Sequence, residues 1–142
     1  MSETEQKAYS AENQEAIREV PQVILLVEDS AIIAMDTTDI LEEAGCALVL
    51  TAPDVETALS HLETESEITA GVLDVNLGAT TSLRVAEALV ERDIPFLLTT
   101  GYDDDPVESG YPAATVLMKP FGTQDLVDAV SSLALSDKRG GV

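Results

Sequence analysis

Five short apolar runs, spaced by stretches of helical periodicity, constrain this chain more than any other feature. The runs are VILLV (23–27), CALVL (46–50), AGVLD (70–74), PFLLT (95–99) and TVLM (115–118). Each is continuous rather than alternating, the pattern of a strand buried on both faces. The segment 30–44 between the first two has Ser30 as an N-cap and Gly45 as a C′ residue. It turns Ile33, Ile40, Leu41 and Ala44 to one side. The segment 53–62 opens on Pro53 and spaces Val55, Ala58, Leu59 and Leu62 at helical intervals. The segment 82–92 offers Ala86, Leu89 and Val90. The segment 123–135, capped by Thr123, offers Leu126, Val127, Val130 and Leu133. The segment 103–114 holds Pro106, Gly110 and Pro112 and has room for one or two helical turns, so a shortened fourth helix is expected there. Strands alternating with helices predict an α/β fold: βαβ units, a five-stranded parallel sheet, and helices on both faces.

The length of 142 residues suits one domain. Its expected bounds are 21–135. Residues 1–20 form an extension expected to be mobile, and 136–142 a loose tail. No apolar run approaches the roughly 20 residues of a membrane span. The first residues lack the basic start and apolar centre of a secretory signal. The single cysteine, Cys46, has no partner for an internal disulfide. A cytoplasmic setting follows as the expectation. There are 27 acids against 7 bases, a net charge of −20. Such a surface disfavours nucleic acid and anionic membranes and favours cations and basic partners. One histidine, His61 on the second helix, leaves no material for a His-based metal site or triad.

In an open parallel sheet, ligands bind beyond the carboxyl ends of the strands. There the first run is followed by Glu28 and Asp29. The third ends in Asp74, the fourth leads into Thr99, Thr100 and Gly101, and the fifth into Lys119 and Pro120. Three carboxylates, a hydroxyl and an ammonium would share one edge. Clustered carboxylates repel unless a cation joins them, and an all-oxygen set suits Mg²⁺ or a Ca²⁺-like ion. Lys119 is the one basic residue between 93 and 137. Opposite the acids it would pair with a carboxylate or a phosphoryl group. A glycine beside a strand-end hydroxyl lets a ligand approach the backbone closely.

This ordered set, Glu28-Asp29, Asp74, Thr100 and Lys119-Pro120-Phe121, resembles a response-regulator receiver domain over residues 21–135. The resemblance, not the residues, implies a flavodoxin-like (βα)₅ fold with strand order 2-1-3-4-5. It implies Asp74 as phosphoacceptor and Mg²⁺ held by Glu28, Asp29, Asp74 and the backbone carbonyl of Asn76. Thr100 and Lys119 would bind the phosphoryl group, and Lys119–Pro120 would be cis. PFLLTTGY with VLMKPF resembles the FAT GUY subgroup of stand-alone receivers in stress signalling. That subgroup implies a histidine kinase of HWE type, or a phosphotransfer protein, as phosphoryl donor. A downstream protein would dock on the face made by the fourth helix, fifth strand and fifth helix. Such a chain accepts a phosphoryl group and loses it by its own hydrolysis, with Asn76 and Tyr102 flanking the water, rather than turning over a substrate as an enzyme.

Departures mark the switch. Val116 stands where most receivers carry an aromatic residue, so Gly101, Tyr102 and Pro120 become secondary switch candidates. Leu77-Gly78 replaces a common Met-Pro. Three other readings stay open: a pseudo-receiver or adaptor that is never phosphorylated, a small Mg²⁺-dependent phosphatase, and a flavodoxin-like cofactor binder. The last lacks a Gly-rich phosphate loop after the first strand and any Trp.

Overall fold

The computed structural model describes residues 19–101 and 105–140. The expected N-terminal extension, up to residue 18, and Tyr102 lie outside the described residues. Five strands form one sheet: β1 (Val23–Val27), β2 (Leu48–Ala52), β3 (Ala70–Asp74), β4 (Phe96–Thr100) and β5 (Thr115–Met118). All pairings are parallel and the order is β2-β1-β3-β4-β5. Four helices are described: α1 (Ala31–Glu43), α2 (Val55–Thr64), α3 (Leu83–Glu91) and α4 (Thr123–Gly140).

Period-two alternation along the strands splits the core between the two faces. Leu25, Val27, Leu73 and Leu98 face α2 and α3, against Val55, Ala58, Leu62, Val85, Ala86 and Leu89. Ile24, Leu26, Val72 and Leu97 face α1 and α4, against Ala34, Leu41, Leu126, Val130 and Leu133. Strands β3 and β4 are buried throughout, while β2 and β5 form the more exposed edges. Burial on both faces thus holds for β1, β3 and β4, whereas the runs of β2 and β5, also continuous in sequence, lie on edge strands that leave several of their residues exposed.

Local differences from expectation have local causes. Strand β2 begins at Leu48 rather than 46. The N–H groups of Gly45 and Cys46 still bond back to Glu42 and Leu41, closing α1, and Ala47 is the first to bond to Gln22. Gly45, at φ +117°, is the predicted C′ residue. Helix α2 starts after Asp54, not at Pro53, because the Asp54 carboxylate accepts from the Thr57 N–H at 2.8 Å and acts as N-cap. In α3, Val85 joins Ala86 and Leu89 in the core and Val90 stays exposed. In α1 the buried line is Ala34, Thr37 and Leu41, with Ile33 exposed. Helix α4 runs to Gly140, past the end of its apolar stripe.

Among the described residues, no α-helix lies between β4 and β5. Asp105–Gly110 is a turn, held by Ser109 N–H to Asp105 O and Tyr111 N–H to Pro106 O. The Asp105 carboxylate accepts from the N–H groups of Val107 and Glu108. Two prolines and Gly110, at φ +85°, prevent the turn from propagating.

Candidate functional site

The chain leaves β1 toward β2 on one side and returns to β3 on the other. Between β1 and β3 the strand order reverses, opening a crevice at their carboxyl ends. Val27 is in register with Leu73, so Glu28 and Asp74 are the next step on neighbouring strands. The Glu28 N–H still joins the ladder, donating to Ala52 O at 3.0 Å. Beyond it the chain turns, leaving Asp29 exposed and Ser30 as the cap of α1. One Glu28 carboxylate oxygen accepts from the Ser30 N–H at 3.1 Å. Glu28 and Asp74 are buried, an arrangement tolerated only for paired charges.

Lys119 supplies the pairing. Its Nζ donates to Glu28 Oε1 at 2.8 Å and to Asp74 Oδ2 at 2.9 Å. The Lys119 N–H donates to Thr100 O at 2.8 Å, so the residue is anchored by backbone as well as by charge. Partial burial works against the ammonium. The hydrogen bonds and the charges of Asp74 and Glu28 outweigh it and hold the Lys119 pKa above its ordinary value. The Lys119–Pro120 bond is cis.

Oxygens of Glu28, Asp29 and Asp74 all lie within 4.8 Å of one another. One ammonium against three carboxylates leaves two negative charges uncompensated at the rim. A hard oxygen donor set with this surplus could hold a metal and fits Mg²⁺, which takes one or two carboxylates and keeps several waters. The rim opens into a cleft of about 510 Å³ between α1 and β2, reaching Met35, Thr38, Val49 and Thr51.

The loop after Asp74 folds back on itself. Asn76 and Thr81 form an antiparallel bridge, and Leu77 N–H donates to Thr80 O. Asp74 Oδ1 accepts from the Asn76 N–H at 3.3 Å, and the Asn76 side-chain oxygen accepts from Gly78 N–H at 2.9 Å. Gly78 has φ +84°, and a Cβ there would lie 3.5 Å from Asp29 Oδ2. Only glycine adopts that conformation readily, which accounts for Gly78 in the Leu77-Gly78 departure.

Of the residues predicted from sequence, Glu28, Asp29, Asp74 and Lys119 meet as expected. Asp74 is in register with Thr99, and the buried Thr100 lies one step further along the same rim. Asn76 is exposed in the adjoining loop, Gly101 is half-buried, and Pro120 is exposed. Val116 is half-exposed on the edge strand. Sequence reasoning missed the Ser30 N–H that orients Glu28. Its signal was the two-residue spacing between the acid and the helix cap.

The model of the response regulator receiver domain matches residues 24–131. The chain is 31% identical over 121 residues to the transcriptional regulatory protein PdtaR of Mycobacterium tuberculosis. That alignment covers 82% of this chain and 58% of the relative, so the chain spans little more than half of that relative's length. Among solved structures, it is similar to SdrG from Sphingomonas melonis Fr1, with 42% identity and a TM-score of 0.69, covering 80% of this chain and 96% of that one. It is also similar to a response regulator receiver protein from Sinorhizobium medicae WSM419, with 26% identity and a TM-score of 0.70, covering 81% and 95%. No helix among the described residues is long and apolar enough to cross a membrane.

Proposed function

The chain belongs to the response-regulator receiver domain family, and from that premise we propose that Asp74 accepts a phosphoryl group from a phosphohistidine, in a chain that signals through protein contacts. The observation that carries this reading is Lys119 Nζ bridging Asp74 and Glu28 at the switch point, with Asp29 alongside. An Asp74 carboxylate oxygen attacks phosphorus. The P–N bond to the donor imidazole breaks, and its electron pair returns to that nitrogen. Glu28, Asp29, Asp74 and the Asn76 carbonyl would hold Mg²⁺, which supplies screening of the phosphoryl oxygens. Lys119 contributes a second positive charge, and Thr100 a hydroxyl donor. The Lys119 contact to Asp74 Oδ2, at 2.9 Å, supports its role beside the incoming group.

The donor is a histidine kinase, of the HWE type that the FAT GUY resemblance implies, or a phosphotransfer protein. The setting is the cytoplasm. The downstream partner docks on the face made by the 105–114 segment, β5 and α4. Gly101, Tyr102 and Pro120 belong to the switching region. Incubation with a small acyl phosphate and Mg²⁺ tests the reading by intact mass and by mapping of the acyl phosphate. One phosphoryl group per chain is expected, on Asp74, and none in Asp74→Asn. Continuous turnover of a phosphate ester would instead favour a phosphatase, and an unlabelled wild type a phosphate-independent adaptor.

A further inference from the structure

Tyr111 carries a buried hydrogen-bond node that the acceptor chemistry does not use. Its hydroxyl donates to the Val75 carbonyl at 3.0 Å and accepts from the Ser82 N–H at 3.0 Å. It also lies 3.1 Å from Ser82 Oγ. A phenol has one proton, and that proton goes to Val75, so Ser82 Oγ is the donor in the third bond. Tyr111 is 8% exposed and Ser82 fully buried. Ser82 therefore spends its hydroxyl here and makes no side-chain cap on α3, although it stands at the N-cap position.

The node joins two parts of the molecule that are far apart in sequence. One is the peptide that follows the acceptor. Val75 comes directly after Asp74, its N–H donates to Thr99 O at 2.9 Å, and its carbonyl takes both the Tyr111 hydroxyl and the Ser82 N–H. Val75 and Ser82 are also the two ends of the folded-back loop that contains Asn76. The other part is the 105–114 turn, which has replaced a helix. Its tip is solvated, with Val107 84% exposed, whereas Tyr111 is buried and belongs to the core cluster that includes Val75, with Ala114 partly buried against it. Gly110, at φ +85°, precedes it as a natural pivot, and Pro112, with its φ fixed by the ring, follows it as a rigid joint.

Resting on the acceptor reading, we propose that Tyr111 is the positioning residue through which the state of Asp74 reaches the 105–114 segment. A group added to Asp74 shifts the Val75–Asn76 peptide, the Tyr111 hydroxyl follows the Val75 carbonyl, and the turn moves about Gly110. Val116 is aliphatic and half-exposed and provides no comparable tie between the rim and this surface.

The test is NMR on the full chain with Mg²⁺ and the phosphoryl mimic beryllium trifluoride, comparing wild type with Tyr111→Phe, which keeps the ring and its packing. In the wild type, amides of Asp29, Asp74–Asn76 and 105–111 shift, and the Tyr111 Cζ resonance moves with them. In Tyr111→Phe the rim amides still shift, but those of 105–111 lose most of their response. A mere packing role for Tyr111 would leave the response of that turn intact, and that result overturns the proposal. A Tyr111 Cζ resonance that ignores the mimic in wild type, while the rim responds, overturns it without any variant. Should Tyr111→Phe fail to fold, the wild-type Cζ resonance decides alone: movement with the rim supports the proposal, and a fixed resonance beside a responding rim overturns it. A wild-type rim that gives no response sinks the acceptor reading itself, and the coupling with it.

Discussion

Lys119 is the residue on which the acidic rim depends. Replacing it with methionine leaves Glu28 and Asp74 buried and facing each other. Breaking a fully buried pair costs about 3–5 kcal/mol, and the partial exposure of Lys119 lowers the expected loss to roughly 2–3 kcal/mol. Urea denaturation of Lys119→Met in chelator should show this loss, and added Mg²⁺ should recover part of it. An unchanged midpoint would mean that the carboxylates do not feel one another. Cys46 gives a separate reading at the same scale. Burial, and secondarily the Glu42 charge, push its thiol up to about 11. The folded state then keeps a proton that the unfolded state has lost. Stability should therefore fall as pH rises from about 8.5 toward the folded value. Buried and held protonated, Cys46 should be labelled slowly by a disulfide reagent at pH 8 until denaturant is added. Rapid labelling of the native protein would contradict the burial.

Among the elements, β3 is the most tightly specified. Gly71 sits where an added Cβ would lie 2.8 Å from Leu89 Cδ1 and 3.3 Å from Phe96 Cβ. Gly71→Ala should thus destabilise by about 1–3 kcal/mol through overpacking between β3 and α3, measurable by thermal or urea unfolding. Acceptor chemistry should survive under conditions where the variant is folded, since Asp74 lies at the far end of the strand. The strands were legible in the sequence because β1, β3 and β4 are buried on both faces and write themselves as unbroken apolar runs. The ends of the strands carried the site, so Glu28, Asp29, Asp74 and Lys119 were legible too. What escaped was decided by contacts between distant residues. Helix α1 buries Thr37 and leaves Ile33 exposed, although the helical spacing places Ile33 on the packed side. Tyr111 falls in the 103–114 segment, where only a shortened fourth helix is expected. Its partners, Val75 and Ser82, are 36 and 29 residues away, and no local pattern announces them.

At the scale of the whole molecule, a net charge of −20 makes the folded state self-repelling. Monovalent salt should stabilise the protein generally by screening, without regard to site. Magnesium should do more than its ionic strength explains. At about 100-fold excess over the dissociation constant, one site adds about 2.7 kcal/mol. At matched ionic strength, calorimetric melts should show that increment in the wild type and its reduction in Asp29→Asn. Equal gains in both would assign the effect to general screening. The strand order brings Glu28, Asp74 and Lys119 together from positions up to 91 residues apart, so the rim exists only in the folded chain. The most direct test of its purpose is phosphoryl uptake from a phosphorylated histidine kinase domain, followed on the native chain with Mg²⁺ and again with the ion chelated. Label should appear on Asp74 with Mg²⁺ and vanish without it. Label that persists in chelator, or that settles on another residue, would contradict the account.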